Sequence, residues 1–280
     1  MVNIILDFDG TITDVGQEAK PYILYHAEEF SRRTNVPIEK INILREVIKT
    51  EVLENPKEGW LNNGRIVAPA CADPYVMEST ISRKLFDKLK EENEDYILPA
   101  NTDEFLSELF HVCSTRVNDV FREGSRNFLD HIINNNSVVI VTNSKEEKVI
   151  KKVERLTEGK YTIPVYGNAK KYCLEENLDG VLESTHPEEF PRPVFLRRGS
   201  YYGVLKKLEQ EKSFHPKNTI VIGDIYELDL ALPHHLGYKV ALLETEFTPE
   251  YEKRFLKRAD NSHIAKHFGE LIDIIENKNS

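Results

Sequence analysis

Met1-Val2-Asn3-Ile4-Ile5-Leu6-Asp7-Phe8-Asp9-Gly10-Thr11-Ile12-Thr13-Asp14 opens the 280-residue chain, and its reading decides the fold class. A short, almost wholly apolar run reads as a strand buried on both faces, and this one ends in two carboxylates one residue apart, then a glycine. Side chains alternate along a strand, so Asp7 and Asp9, two apart, share a direction, and Gly10 lets the chain leave the sheet sharply. Two like charges so close are costly unless a cation or a phosphoryl group binds near them.

The same ending recurs further on. Ser137-Val138-Val139-Ile140-Val141 stops at Thr142-Asn143-Ser144 before a helical stretch, and Asn218-Thr219-Ile220-Val221-Ile222-Gly223 stops at Asp224. Tyr161–Tyr166 reads as a weaker strand, placed at an edge by Pro164. Helical periodicity over Arg126–Ile133 precedes the second of these runs, and the tail from Thr248 reads as two amphipathic helices. Strands alternating with helices predict an α/β fold, a doubly wound, Rossmann-like parallel sheet, whose ligands bind beyond the carboxyl ends of the strands. Asp7, Asp9, Thr142 and Asp224 all lie at such ends. Three carboxylates and a hydroxyl form a hard-oxygen set that suits Mg²⁺ better than zinc.

Residues 15–119 interrupt this pattern. Pro21–Phe30, Ile41–Ile48 and Ser82–Leu89 carry apolar residues at helical spacing, with no β-branched run among them, which predicts an all-helical inserted domain. The α/β core is then expected over 1–14 and 120–280. Asn55–Pro74, rich in proline, glycine and asparagine, reads as a long loop. Within it Trp60 reads as a packing anchor and Arg65 as a solvated charge, although both could face a substrate.

Asp7-Phe8-Asp9-Gly10-Thr11 resembles the signature of the haloacid dehalogenase (HAD) superfamily, most of whose members are Mg²⁺-dependent phosphatases. Thr142 after its apolar strand is similar to the second motif of that family, and Gly223-Asp224, followed after four residues by Asp229, to the fourth; Ala231–Gly237 and Tyr238–Leu243 resemble the helix, glycine stop and fifth strand that follow it there. The insertion lies where the family places a helical cap. The resemblance implies that Asp7 is the nucleophile that forms an aspartyl-phosphate, and that Asp9 is the general acid and base. It implies Mg²⁺ on the Asp7 carboxylate, the Asp9 main-chain carbonyl and Asp224, with Asp229 behind. Thr142 and the Asn143 backbone would hold the phosphate. The family's third motif supplies a cation at the start of the helix that precedes the fourth-motif strand, which points to Arg198, 26 residues before Asp224. Arg197, Lys170 and Lys171 are the alternatives, the lysines only if the stretch from Gly167 to Pro193 loops out. The implied activity is phosphate-monoester hydrolysis on a small phosphorylated metabolite. A phosphomutase of the β-phosphoglucomutase kind shares these residues, and a non-catalytic binding protein on the same fold is the reading from another class.

Composition narrows the partners. A net charge of −10 and a pI near 5.5 argue against nucleic acid or an anionic membrane as the main partner, because both want a basic face. Cys71, Cys113 and Cys173 are widely spaced and read as free thiols in a reducing compartment. No leader-like segment or membrane-length apolar run is read, so the expected location is cytoplasmic. His234 and His235 read as the last turn of a helix before Gly237.

Overall fold

The structure is a computed structural model, and it describes residues 2–92 and 96–276; Met1 of the opening stretch lies outside them. The chain divides into two compact units. The first comprises Met1–Asp14, Leu61–Ala68 and Phe121–Ser280, and the second Val15–Trp60 and Pro69–Val120.

Ten strands and ten helices are formed among the described residues. In chain order they are β1 (Asn3–Leu6), α1 (Val15–Thr34), α2 (Ile38–Glu54), β2 (Gly59–Asn62), β3 (Arg65–Pro69), α3 (Pro74–Glu91), α4 (Thr102–Ser114), α5 (Ser125–Asn135), β4 (Ser137–Val141) and α6 (Glu146–Thr157). There follow β5 (Val165–Tyr166), β6 (Ser184–Thr185), β7 (Val194–Phe195), α7 (Gly199–Lys212), β8 (Thr219–Gly223), α8 (Ala231–His235), β9 (Lys239–Leu243), α9 (Glu250–Leu256), β10 (Ser262–Ala265) and α10 (Phe268–Ile275).

The first unit holds a six-stranded sheet in the order β10-β9-β8-β1-β4-β5, and its strand pairs run parallel. Alternate residues of its strands feed two separate cores. Ile5, Val139, Val221 and Val240 pack with Tyr201, Leu205 and Leu208 of α7, whereas Ile4, Ile140, Ile220 and Ala241 pack with residues of α5, α6 and α10. Both faces of the sheet are therefore covered, which is why its strands read as continuous apolar runs. From β1 the chain proceeds outward through β4 and β5, then returns to β8 and proceeds the other way. The order reverses beside β1 and β8, the position where open α/β sheets form their ligand crevice. The expected doubly wound sheet is thus present, with β5 at one edge as Pro164 suggested. The tail differs from expectation in one element: between α9 and α10 the chain forms β10 at the opposite edge.

The second unit packs α1–α4 around a core that includes Phe30, Ile41, Ile48, Leu85, Phe86 and Leu109. A buried polar group lies inside it. Glu78 takes Arg45 on both oxygens and His26 Nδ1 at 3.1 Å, and Ser82 Oγ donates to it at 3.3 Å. Burial opposes the Glu78 charge, but the His26 hydrogen bond and Arg45 outweigh it and hold the carboxyl down to about 2.

The insertion is not all-helical. Where a long loop was expected, β2 and β3 form a hairpin. Asn63 and Gly64 turn it with φ of 51° and 72°, the left-handed pair that a two-residue hairpin turn requires. Its tip, Leu61–Ala68, belongs to the first unit.

Candidate active site

Asp7 continues the β1–β8 ladder by donating its backbone N–H to Ile222 O at 2.8 Å, so its side chain emerges where the sheet ends. Gly10 then turns the chain at φ 88°, and a Cβ there would stand 2.2 Å from Asp224 Oδ2. Glycine is required on both counts. At Gly223 the close approach alone requires glycine, since a Cβ would meet Asp229 Cβ at 2.4 Å. Beyond Asp224 the chain makes one wide turn over Tyr226–Leu230, closed by Ala231 N–H on Tyr226 O, and this turn carries Asp229 back to the rim. Such wide turns cluster at functional sites.

Asp7, Asp224 and Asp229 are buried and present carboxylate oxygens within 4.8 Å of one another. Thr11 Oγ1 lies 3.2 Å from Asp7 Oδ2 and 3.1 Å from Asp224 Oδ1, one hydroxyl between two acids. Asp224 and Asp229 therefore lie beside Asp7, while Asp9 is not among these three. Asp9 points to β4: Thr142 Oγ1 donates to its Oδ2 at 3.4 Å, and Lys152 Nζ of α6 donates to its Oδ1 at 3.0 Å. Lys152 had no sequence signal, since a lysine in the middle of a charged amphipathic helix reads as solvated.

The cation at the centre is Lys171. Its side chain is 1 % exposed, and its Nζ lies 2.6 Å from Asp7 Oδ1 and 2.8 Å from Asp229 Oδ1. Burial works against its charge, but Asp229 and Asp7 outweigh that and raise its pKa above the ordinary range. The expectation of Arg198 at this position is corrected. Arg198 is wholly buried, and its guanidinium is consumed by backbone carbonyls, those of Phe195 at 3.1 Å, Val67 at 2.9 Å and Lys171. The stretch after Gly167 does loop out. Asn168 and Ala169 N–H bond to Ser144 O and Thr142 O at 2.8 and 2.9 Å, which returns Lys171 to the rim. The short antiparallel pair β6–β7 occupies part of the residues that separate it from α7.

The Asn143 side chain faces Lys171, and its Oδ1 accepts the Lys171 N–H at 2.7 Å. Thr142 Oγ1 accepts the Ser144 N–H at 3.1 Å, so this hydroxyl both orients the following turn and reaches Asp9. Arg65 pairs with Glu183 at 2.8 Å and lies over the Phe195 ring, and Trp60 is half-buried. His234 Nε2 donates to Asp260 O at 2.7 Å, and its Nδ1 lies 3.2 Å from Tyr226 Oη.

Burial, together with Asp229 beside it, pushes the Asp7 carboxyl up to about 7 against the pull of Lys171. A third negative charge is poorly tolerated by the protein alone. The donors are all carboxylate oxygens with no sulfur or imidazole among them, so the site fits a hard divalent cation such as Mg²⁺.

No family model matches the sequence, and no curated protein matches it. Solved structures do. YfnB from Bacillus subtilis, assigned as a HAD-hydrolase and bound to magnesium, aligns over 98% of both chains with 13% identity and a TM-score of 0.54. The chain has the haloacid dehalogenase fold. A second HAD-fold structure, a HAD family hydrolase from Deinococcus radiodurans R1 with bound phosphate and sodium, aligns over 99% of this chain and 96% of its own with 15% identity and a TM-score of 0.52. A Thermotoga maritima protein assigned as a beta-phosphoglucomutase aligns over 99% of each chain, with 13% identity and a TM-score of 0.53. At these identities the likeness to HAD structures concerns the fold. Among the described residues no helix is long and apolar enough to cross a membrane.

Proposed function

We propose that the chain is a Mg²⁺-dependent phosphoric monoester hydrolase that acts on a small phosphorylated metabolite through an aspartyl-phosphate on Asp7. The observation that carries this reading is the position of the Asp7 carboxylate, at the strand-order reversal, with the Lys171 ammonium 2.6 Å from one oxygen and Asp9 two residues on.

In this reading Asp7 Oδ attacks phosphorus, the bond to the substrate alcohol breaks, and Asp9 gives its proton to the leaving oxygen. Asp9 then takes a proton from water, whose oxygen attacks phosphorus. The bond to Asp7 breaks and inorganic phosphate leaves. Lys171 keeps Asp7 aimed and shares its charge with the incoming phosphoryl oxygens, acting as a fixed cation in a dry site. Thr142, at the end of β4, orients Asp9 and offers a hydroxyl to the phosphoryl group. Mg²⁺, held by Asp7, the Asp9 main-chain carbonyl and Asp224 with Asp229 behind, would neutralise the repulsion between nucleophile and phosphate.

The test is phosphate release from an aryl phosphate with Mg²⁺, then with EDTA, for the native protein and Asp7→Asn. Loss of at least three orders of magnitude in Asp7→Asn, and loss in EDTA, are expected. Undiminished turnover in either overturns the reading. The fold likeness to an assigned beta-phosphoglucomutase makes phosphoryl transfer between two hydroxyls of one sugar the second reading. Phosphorus NMR of a sugar-phosphate incubation separates them, since the mutase yields an isomeric ester where the hydrolase yields free phosphate.

A further inference from the structure

The backbone that delivers Lys171 is held in an unfavourable conformation. Asn168 and Lys170 both have φ near +50°, at 50° and 47°, and neither is glycine. A left-handed lysine persists only where the surroundings over-determine it. Two side chains do so here, one at each end of the residue. Asn143 Oδ1 accepts the Lys171 N–H at 2.7 Å, and Arg198 Nη1 donates to the Lys171 carbonyl. Arg198 in turn is fixed by the carbonyls of Phe195 and Val67, and Asn62 Oδ1 takes the Leu174 N–H at 2.9 Å just downstream.

We infer that Asn143 and Arg198 are positioning residues for Lys171: they grip its backbone N–H and C=O, and so aim its ammonium at Asp7 and Asp229 instead of touching the phosphoryl group themselves. The inference rests on the proposed phosphatase reading. A buried guanidinium that spends its donors on three carbonyls has few left for a substrate, and its position behind the lysine explains why an arginine stands at the head of α7. The asparagine is chosen because an acceptor must meet one backbone N–H. Misplacing a reacting group by about 1 Å costs on the order of 100-fold in rate.

A double-mutant cycle tests this, because residues that act through one another are not additive. Asn143→Leu, which keeps the bulk and removes the acceptor, is expected to lower kcat for an aryl phosphate by about 10–100-fold with KM within about threefold. Asn143→Asp, which keeps the acceptor oxygen, restores most of it. In a Lys171→Gln background the same Asn143→Leu change moves kcat less than about threefold, because the group it positions is gone. The affinity for beryllium fluoride on Asp7, followed by fluorine NMR, gives the same cycle where turnover is too low to time. Arg198→Lys, checked for folding by circular dichroism, repeats the cycle from the carbonyl side, and Asn143 decides the matter if that variant does not fold. Equal losses with and without Lys171, or a loss carried in KM, overturn the inference while leaving the phosphatase reading intact. A native protein that neither releases phosphate nor binds beryllium fluoride overturns that reading first.

Discussion

Lys171→Met removes an ammonium that lies 2.6 Å from Asp7 Oδ1 and 2.8 Å from Asp229 Oδ1, and it keeps an apolar stem of similar length. The carboxylates left behind are 7 % and 4 % exposed and repel one another. Taking one partner from a buried pair costs about 3–5 kcal/mol, because the remaining charge has no water to replace it. The Asp7 carboxyl, pushed up to about 7 by burial and by Asp229 even with Lys171 present, rises further and takes up a proton. A carboxyl raised on folding contributes stability that is complete below its unfolded value and is lost as pH rises through its folded value. The deficit of the variant is therefore smallest near pH 5 and grows as pH rises above about 7. For a unit of this size about 1 kcal/mol moves Tm by about 2–4 °C, so the metal-free variant should melt about 6–20 °C lower at pH 8. Circular dichroism melts in EDTA at both pH values measure it, with Asp7→Asn/Lys171→Met as the charge-balanced control, which should recover part of the loss. A Lys171→Met protein that melts with the native one at pH 8 would refute the burial of this ammonium between two acids.

Three further outcomes are expected. Glu252 is wholly buried, accepts the Tyr226 N–H with one oxygen and finds no partner among the described residues for the other, and burial and the neighbouring Glu227 raise its carboxyl well above the ordinary range. Stability should then decline as pH rises above about 4.5, and Glu252→Gln, whose amide stays neutral, should flatten that decline in chemical-denaturation curves taken between pH 5 and 8. Glu78 is held down to about 2, so its contribution is present above the ordinary glutamate range and lost as pH falls toward 2; Glu78→Gln strands the buried Arg45 charge and should cost the second unit about 3–5 kcal/mol at pH 7, read by urea titration. Gly10→Ala drives a methyl into Asp224 at a left-handed φ, and the Mg²⁺-induced rise in Tm should disappear while the second unit melts as before.

Where a segment is buried on both sides, its sequence announces it: β1, β4 and β8 are continuous apolar runs because α5, α6 and α10 cover one face and α7 the other. β10 escapes such reading because it lies at the edge, where Ser262 and His263 are tolerated. The hairpin was legible in Asn63-Gly64, a pair that suits a two-residue turn, but proline and asparagine around it suggested a loop. Asp7, Asp9, Thr142 and Asp224 were found because each follows a strand. Lys171 follows one too, five residues beyond β5, so the rule that located the others applies to it. Counting back from Asp224 to the head of the preceding helix led to Arg198 instead, because the β6–β7 excursion lengthens the connection. No pattern in one sequence reveals that a guanidinium will be used up on carbonyls.

The path of the chain between its two units bears on how such a protein can diverge. It passes between them four times, because Leu61–Ala68 goes with the first unit although the sequence around it goes with the second. An insertion joined only at its ends could be exchanged between relatives as a single cassette. Here a crossover at Asp14 and Phe121 would also remove the Val67 carbonyl on which Arg198 depends, the Ile66 carbonyl that Arg192 reaches at 3.5 Å, and the Asn62 contact to Leu174. Chimaeras should therefore be cut at four points, with the hairpin tip inherited together with the sheet, and in natural drift the tip should follow the mutations of α7 and of the loop before β6 more closely than those of the helices on either side of it.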